Sequence, residues 1–255
     1  MSFDPFGDFA TRGYLRNVFG EKDPDIIKHL EHSAFLAGIA EASNHLASIR
    51  RLSYGDVLHA HKILFRDLYP WAGQDRMQTA PEIAVSKGPV LFAHPRDARV
   101  AVEYGLKLGS DVTTMNARPG EVMGYLAFGH PFLDGNGRAI MVVHAVLAER
   151  AGFSIDWTAT SKTAYLNALT QEIAQPGARN LDLYLKPFLR DPVGSEKLAR
   201  HVVNTRGLDG ATAEENRVLG SVSDPEVQAR YAAQRLQRQR KQDRERSDRD
   251  DSRDR

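Results

Sequence analysis

A chain of 255 residues with an apolar fraction of 42% is long enough for one domain of ordinary size plus appendages. Its 34 Lys and Arg against 33 Asp and Glu create no overall field to attract a nucleic acid or an anionic membrane surface, so neither partner is expected. The absence of cysteine excludes disulfides and thiolate metal sites and fits a reducing compartment. The opening residues lack a basic start followed by an apolar run, and no stretch approaches membrane-spanning length, so a cytoplasmic protein without a span is expected.

Taken in chain order, the first predicted element is a helix from Asp23 past Ala40. Asp23 can cap it, Pro24 suits its first position, and Ile26, Ile27, Leu30 and Phe35 follow at helical spacing. Ser53 and Asp56 form a capping-box pair ahead of Val57, His61, Leu64, Phe65 and Leu68 on one face, and Pro70 ends that helix. Next, Ile83-Ala84-Val85 and Val90-Leu91-Phe92 flank the turn residues Ser86, Lys87, Gly88 and Pro89, which is the pattern of a β-hairpin or, on pattern alone, equally of a surface loop. A lone two-stranded hairpin is marginal, so it must lean on the helices or take a third strand from elsewhere. Further helices are predicted over 97–108, 119–128, 138–150, 161–173 and 181–189, and the fold class is mainly α. After Pro192 the apolar periodicity fades. From Gln228 the chain is almost wholly charged or amide-bearing, which predicts a solvated helix fraying into a disordered tail that is dispensable for chemistry.

The informative stretch is the loop His130-Pro131-Phe132-Leu133-Asp134-Gly135-Asn136-Gly137-Arg138. Gly135 and Gly137 allow positive φ and let backbone N–H groups turn inward, and Asn136 tolerates the same geometry. Ile140, Met141, Val143, Val146 and Leu147 then mark an apolar helix ending at Gly152, so the loop feeds a helix N-terminus suited to a phosphate chain. Arg138 lies in the first turn, where its charge opposes the helix dipole unless an anion is bound. Asp134 is a hard oxygen ligand suited to Mg²⁺ shared with phosphate oxygens, or else an N-cap. His130 is a base for an attacking hydroxyl, or else a packed histidine. Other conspicuous residues are assigned to structure: His59 and His61 share no helix face, His144 is expected to be buried and hydrogen-bonded, and Trp71 and Trp157 are anchors.

His-Pro-Phe-x-Asp-Gly-Asn-Gly-Arg is the signature of Fic proteins, and the chain resembles that family here and over roughly its first 190 residues. The segments 63–76, 92–94 and 151–157 are similar to further family stretches. The resemblance implies a Fic-type helical bundle with a β-hairpin flap, at about 77–93, beside the active-site loop. It also implies protein adenylyl transfer, in which AMP passes from ATP to a Ser, Thr or Tyr hydroxyl of a target protein. His130 then becomes the general base, Asp134 the Mg²⁺ ligand, and Gly135, Asn136, Gly137 and Arg138 the nucleotide-phosphate site. Residues Ile83, Ala84, Val85, Ser86, Lys87, Gly88, Pro89, Val90, Leu91 and Phe92 become the flap that aligns the target segment by main-chain pairing at an exposed edge. The division this implies is a catalytic domain over 1–190, a peripheral helical or loop extension over 191–227, and the charged tail over 228–255.

One departure from the family pattern matters. Many members carry a second Arg where this chain has Met141, and in the family that Arg pairs with an inhibitory glutamate of a Ser/Thr-x-x-x-Glu helix in the same chain or on a small antitoxin. No Ser or Thr here has Glu four residues later, so the chain is expected not to be held off by a glutamate of its own. Two alternatives stay open. One is a Fic-fold transferase using another nucleotide or a phosphoryl donor, against which Gly137 counts because phosphorylating relatives carry Lys there. The other is a nucleotide-binding regulatory protein with weak catalysis.

Overall fold

In the computed structural model, which describes residues 15–205 and 217–251, helices dominate. The first, α1 (Pro24–Ser48), begins as its sequence dictates, with Asp23 accepting from the Asp25 amide and Pro24 at the first position. Helix α2 (Tyr54–Phe65) has the full Ser53–Asp56 capping box. A single turn, α3 (Arg76–Thr79), leads into strands β1 (Ile83–Lys87) and β2 (Val90–Leu91), followed by α4 (Pro95–Ser110), α5 (Val112–Ala117), α6 (Pro119–Gly129) and α7 (Asn136–Arg150). Beyond these come β3 (Ser154–Ile155), α8 (Lys162–Ala174), α9 (Asn180–Leu185), β4 (Leu189–Arg190), α10 (Leu198–Val203), β5 (Arg217–Ser221) and α11 (Pro225–Asp251). The helix expected over 181–189 is cut short: Pro187 cannot continue the ladder, so the chain passes through one 3₁₀ turn and pairs Leu189 with Ile155.

Helix α7 lies at the centre. From Ala139 to Ala148 every residue is buried, which explains its apolar sequence on all sides. It is surrounded by α1, α2 and α6, and Phe35, Leu46, Leu64, Phe65, Met123 and Phe132 fill the space between them. Met141 is part of this core at 4% exposure.

Two expectations for the chain beyond Pro192 are corrected. Leu198 and Val202 of α10 are fully packed into the main core, so the extension is not merely peripheral. The segment expected to be a solvated helix fraying into a disordered tail is the helix α11, and side chains up to Lys241 contact the body. Its buried or bonding positions Val227, Tyr231, Gln234, Arg238 and Lys241 recur at helical spacing, but most are polar. The long side chains cover apolar surface with their stems, and the Arg238 guanidinium lies 3.3 Å from the centre of the Phe128 ring, so composition hid the stripe. The last residues of that tail, 252–255, lie outside the described residues, as do residues 1–14.

The hairpin exists, and it does have a third strand. The sheet order is β2-β1-β5, with β5 antiparallel to β1. Among the described residues no helix is long and apolar enough to cross a membrane.

Candidate active site

His130 ends α6 in the left-handed conformation, φ 41° and ψ 58°, one of two non-glycine residues with positive φ among those described. For a side chain bearing a Cβ this costs about 1–2 kcal/mol, so the surroundings must hold it. They do so through Arg76, whose Nε donates to the His130 carbonyl at 2.8 Å, whose Nη2 donates to Ala93 O at 2.6 Å, and whose own N–H donates to Pro131 O at 2.7 Å. Arg76 is fully buried, and it ties the histidine, the residue after it and the base of the hairpin together. Sequence reasoning passed over Arg76 as the end of a family-like segment. The available signal was an arginine between a tight turn and an apolar strand, with no acidic neighbour on its helix beyond the capping Asp75.

The imidazole is buried and lies flat against Phe92, with ring centres 3.6 Å apart and planes within 8°. Its Nε2 is 3.2 Å from Asn136 Nδ2; an amide nitrogen only donates, so Nε2 accepts and the ring proton sits on Nδ1. Burial, then Arg76, then Lys87 hold the histidine well below its ordinary pKa, which keeps it an unprotonated base at neutral pH. The site thus has the deprotonated form a general base needs.

Asn136 does not behave as expected. Its side chain is used inside the loop, accepting from Phe132 N at 2.9 Å and donating to Phe132 O at 2.8 Å, and it sits at the first position of α7 rather than at positive φ. These bonds brace the loop from within. Gly135 is the loop glycine with φ of +73°, and a Cβ there would meet the Phe65 ring at 2.5 Å, so only glycine fits. Gly137 is helical and exposed, and a Cβ would meet nothing within 4 Å; the backbone is bare at the helix end.

The loop is pinned from below by His61, which receives the Gly73 amide on Nδ1 and donates from Nε2 to Asp134 O at 3.0 Å while stacked 3.7 Å from Phe132. Burial lowers its pKa to about 3, and it works as a neutral spacer, in keeping with the structural role expected of it. His144 is likewise buried on Pro119 O at 2.9 Å. The Asp134 carboxylate is half-buried and accepts the Gly135 amide at 2.7 Å. Among the described residues no group of three or more His, Asp or Glu gathers as an all-protein metal cage. One carboxylate beside an open helix end suits a Mg²⁺ that keeps waters and phosphate oxygens as its other ligands.

Arg138 brings the main surprise. Its Nη1 is 2.5 Å from Oε2 of Glu31, on α1, with both side chains more than nine-tenths buried. The chain is expected not to be held off by a glutamate of its own; a glutamate does pair with Arg138, but it comes from α1, outside any Ser/Thr-x-x-x-Glu pattern. It also resolves the conflict between Arg138 and the helix dipole without a bound anion. Burial and the nearby Asp134 raise Glu31 to about 7 even though Arg138 and a hydrogen bond from Tyr69 pull the other way.

The structure thus joins a histidine-led loop to a buried central helix, with a hairpin laid over the histidine. Residues 51–148 match the Fic/DOC family. The chain is 32% identical over 165 residues to the protein adenylyltransferase VbhT of Bartonella schoenbuchensis, an alignment spanning 61% of this chain but only 33% of VbhT. In fold it is similar to the BepC protein of Bartonella tribocorum, solved with bound AMPPNP, at a TM-score of 0.59 and 16% identity over 75% of this chain and 99% of that one. It is similar as well to the N-terminal Fic domain of a VirB-translocated Bep effector of Bartonella quintana, solved with bound ADP, at 0.60 and 20% identity over 73% and 95%. The segment 51–148 is thus similar to the Fic/DOC family, and the chain shares the fold of the solved Bartonella proteins.

Proposed function

We propose that this chain transfers AMP from ATP to a Ser, Thr or Tyr hydroxyl of a target protein. The observation that carries the reading is the state of His130: an unprotonated imidazole, pinned through its backbone by Arg76, at the start of a loop whose far end is the bare backbone of Gly137. The target oxygen attacks the α-phosphate, its proton passes to His130 Nε2 as Asn136 gives way, and the bond to the leaving pyrophosphate breaks in line. Negative charge on the phosphates faces the N-terminus of α7 and Arg138, and Mg²⁺, when bound beside Asp134, would offset the charge of the triphosphate. Gly135 and Asn136 shape the loop; Gly137 and Arg138 meet the phosphates. The flap residues between Ile83 and Phe92 take the target segment, and Phe92 stacks on the base itself.

Support from relatives is of the same kind: VbhT is a protein adenylyltransferase, and the two solved Fic proteins carry adenine nucleotides. The test is incubation of the purified chain and a cell extract with ATP, GTP, CTP or UTP, each labelled, followed by mass spectrometry of modified peptides. An AMP increment on a hydroxyl is expected. A UMP, GMP or CMP increment would change the donor, and a bare phosphate increment would make the chain a phosphotransferase.

A further inference from the structure

The hairpin's edges are not open. Val85 and Phe92 are bonded to each other through Phe92 N and Val85 O at 3.1 Å, so at the adjacent Ser86–Leu91 pair the backbone groups point away from the partner strand. On the β1 side those outward groups face β5, which runs from Ser86 opposite Arg217 to Ile83 opposite Ser221 and continues through Val222 N to Glu82 O at 3.0 Å. On the β2 side the Leu91 carbonyl accepts from Gln234 Nε2 of α11 at 2.8 Å. One segment, 217–241, therefore occupies both edges of the hairpin.

The segment is held in part by contacts of its own, besides Val218 on the main core and Arg238 over Phe128. Ala84 and Leu91 of the hairpin pack with Val222, Val227 and Tyr231 in a small apolar cluster of their own, apart from the main core. Around it are the Arg235–Asp97 ion pair at 2.7 Å, the Arg238 bond to Ile173 O at 3.0 Å and the Lys241–Glu121 pair. The fit is incomplete in two places. A cavity of about 410 Å³ remains between α11 and helices α4 and α6, and a bulge between Ala84 and Val85 breaks the β1–β5 register. A regular strand would recover the pairing that the bulge forfeits. A tethered strand competes at high effective concentration, but it can be exchanged for a better one without opening the main core.

We infer that residues 217–241 are a displaceable cover of the flap: β5 lies where an extended target segment pairs, α11 holds it there, and a target gains access by strand exchange. This rests on the proposed role of β1 and β2 as the target-docking flap. The partner class is an extended protein segment able to form a regular antiparallel pair with Ile83–Lys87.

The test uses the full chain in three forms. Val227→Asp places a carboxylate in the small cluster and should release the cover. Ile83→Cys with Ser221→Cys in this cysteine-free chain should lock it when oxidised and free it again when reduced. The first probe is a fluorescent peptide of residues 217–241, independent of any chemistry. It should bind Val227→Asp at least tenfold more tightly than the unaltered chain and the oxidised form not at all. Faster amide exchange at Ala84 and Ser86, with unchanged exchange in α6 and α7, shows that Val227→Asp opens only the cover. The second probe is transfer of labelled AMP to the proteins of a cell extract, which should rise several-fold in Val227→Asp, fall in the oxidised pair and return on reduction. Equal peptide binding by all forms overturns the cover, and so does equal transfer by the open and locked forms. If no form transfers label to anything, the adenylyl-transfer reading fails and peptide binding alone decides for or against the cover.

Discussion

Replacing Arg76 with methionine separates the energetics of the fold from those of the site. The change keeps an unbranched apolar stem but leaves the His130 and Ala93 carbonyls without their donor. Two buried carbonyls stripped of a partner cost roughly 1–3 kcal/mol each. Against this, the guanidinium is itself expensive where it is: burial lowers its pKa to about 10, well below the usual arginine range, and at about 1.4 kcal/mol per unit the substitution relieves roughly 3 kcal/mol. The two effects nearly cancel, leaving a net change between a gain of about 1 kcal/mol and a loss of about 3 kcal/mol. The site has no such offset, because the left-handed backbone at His130 then lacks its main restraint and the imidazole moves relative to the α7 end; a displacement on the order of 1 Å costs roughly 10²-fold in rate. Urea denaturation and labelled AMP transfer on the same preparation should thus show a modest change in the first and a drop of about 10²-fold or more in the second. Transfer at the unaltered rate, with stability reduced by any amount, would refute the assignment of Arg76 as the residue that positions His130.

Asp134→Ala should abolish the Mg²⁺ dependence of ATP binding measured by calorimetry; a mutant that still binds ATP more tightly with Mg²⁺ than without it places the metal ligand elsewhere. Glu31→Gln removes the carboxylate that competes with phosphate for Arg138, and ATP affinity should rise by about threefold to tenfold; weaker binding would mean that Glu31 presents Arg138 to the nucleotide instead of withholding it. His144 is buried neutral with its pKa lowered from 6.5 to about 4. The unfolded chain therefore binds the extra proton first, and stability from this residue is whole above pH 6.5 and lost as pH falls toward 4, by roughly 3 kcal/mol in all. Glu31, raised to about 7, works in the opposite sense between pH 7 and 4.5, so the histidine slope is isolated by comparing the unaltered chain with His144→Gln in denaturation at pH 7 and pH 5. Identical pH dependence of the two would contradict the buried neutral histidine.

What was legible in the sequence follows from how local each signal is. Asp23, Ser53 and Asp56 satisfy helix-end amides within a few residues of themselves, so caps named α1 and α2 without tertiary information. The loop from His130 to Arg138 was legible because its residue types are dictated by backbone and chemistry together, and the need of the hairpin for support was legible from its size. Which strand would supply that support was not, since β5 pairs with β1 across more than a hundred residues and is itself too short to announce a partner. Glu31 and Arg76 were missed for a related reason: each is an ordinary charged residue on a helix until the fold buries it against the loop. The charged composition of α11 concealed contacts made by the stems and faces of long polar side chains, and a judgement from composition alone treated as solvent what the fold uses as surface.

The central claim is that His130 takes the proton of a protein hydroxyl as AMP is transferred to it. The direct measurement is AMP incorporation from labelled ATP by the unaltered chain and by His130→Ala, run beside ATP affinity for both. The account predicts AMP on a Ser, Thr or Tyr side chain with the unaltered chain. With His130→Ala it predicts loss of about 10²-fold or more in rate at nearly unchanged ATP affinity. Full incorporation by His130→Ala would contradict it.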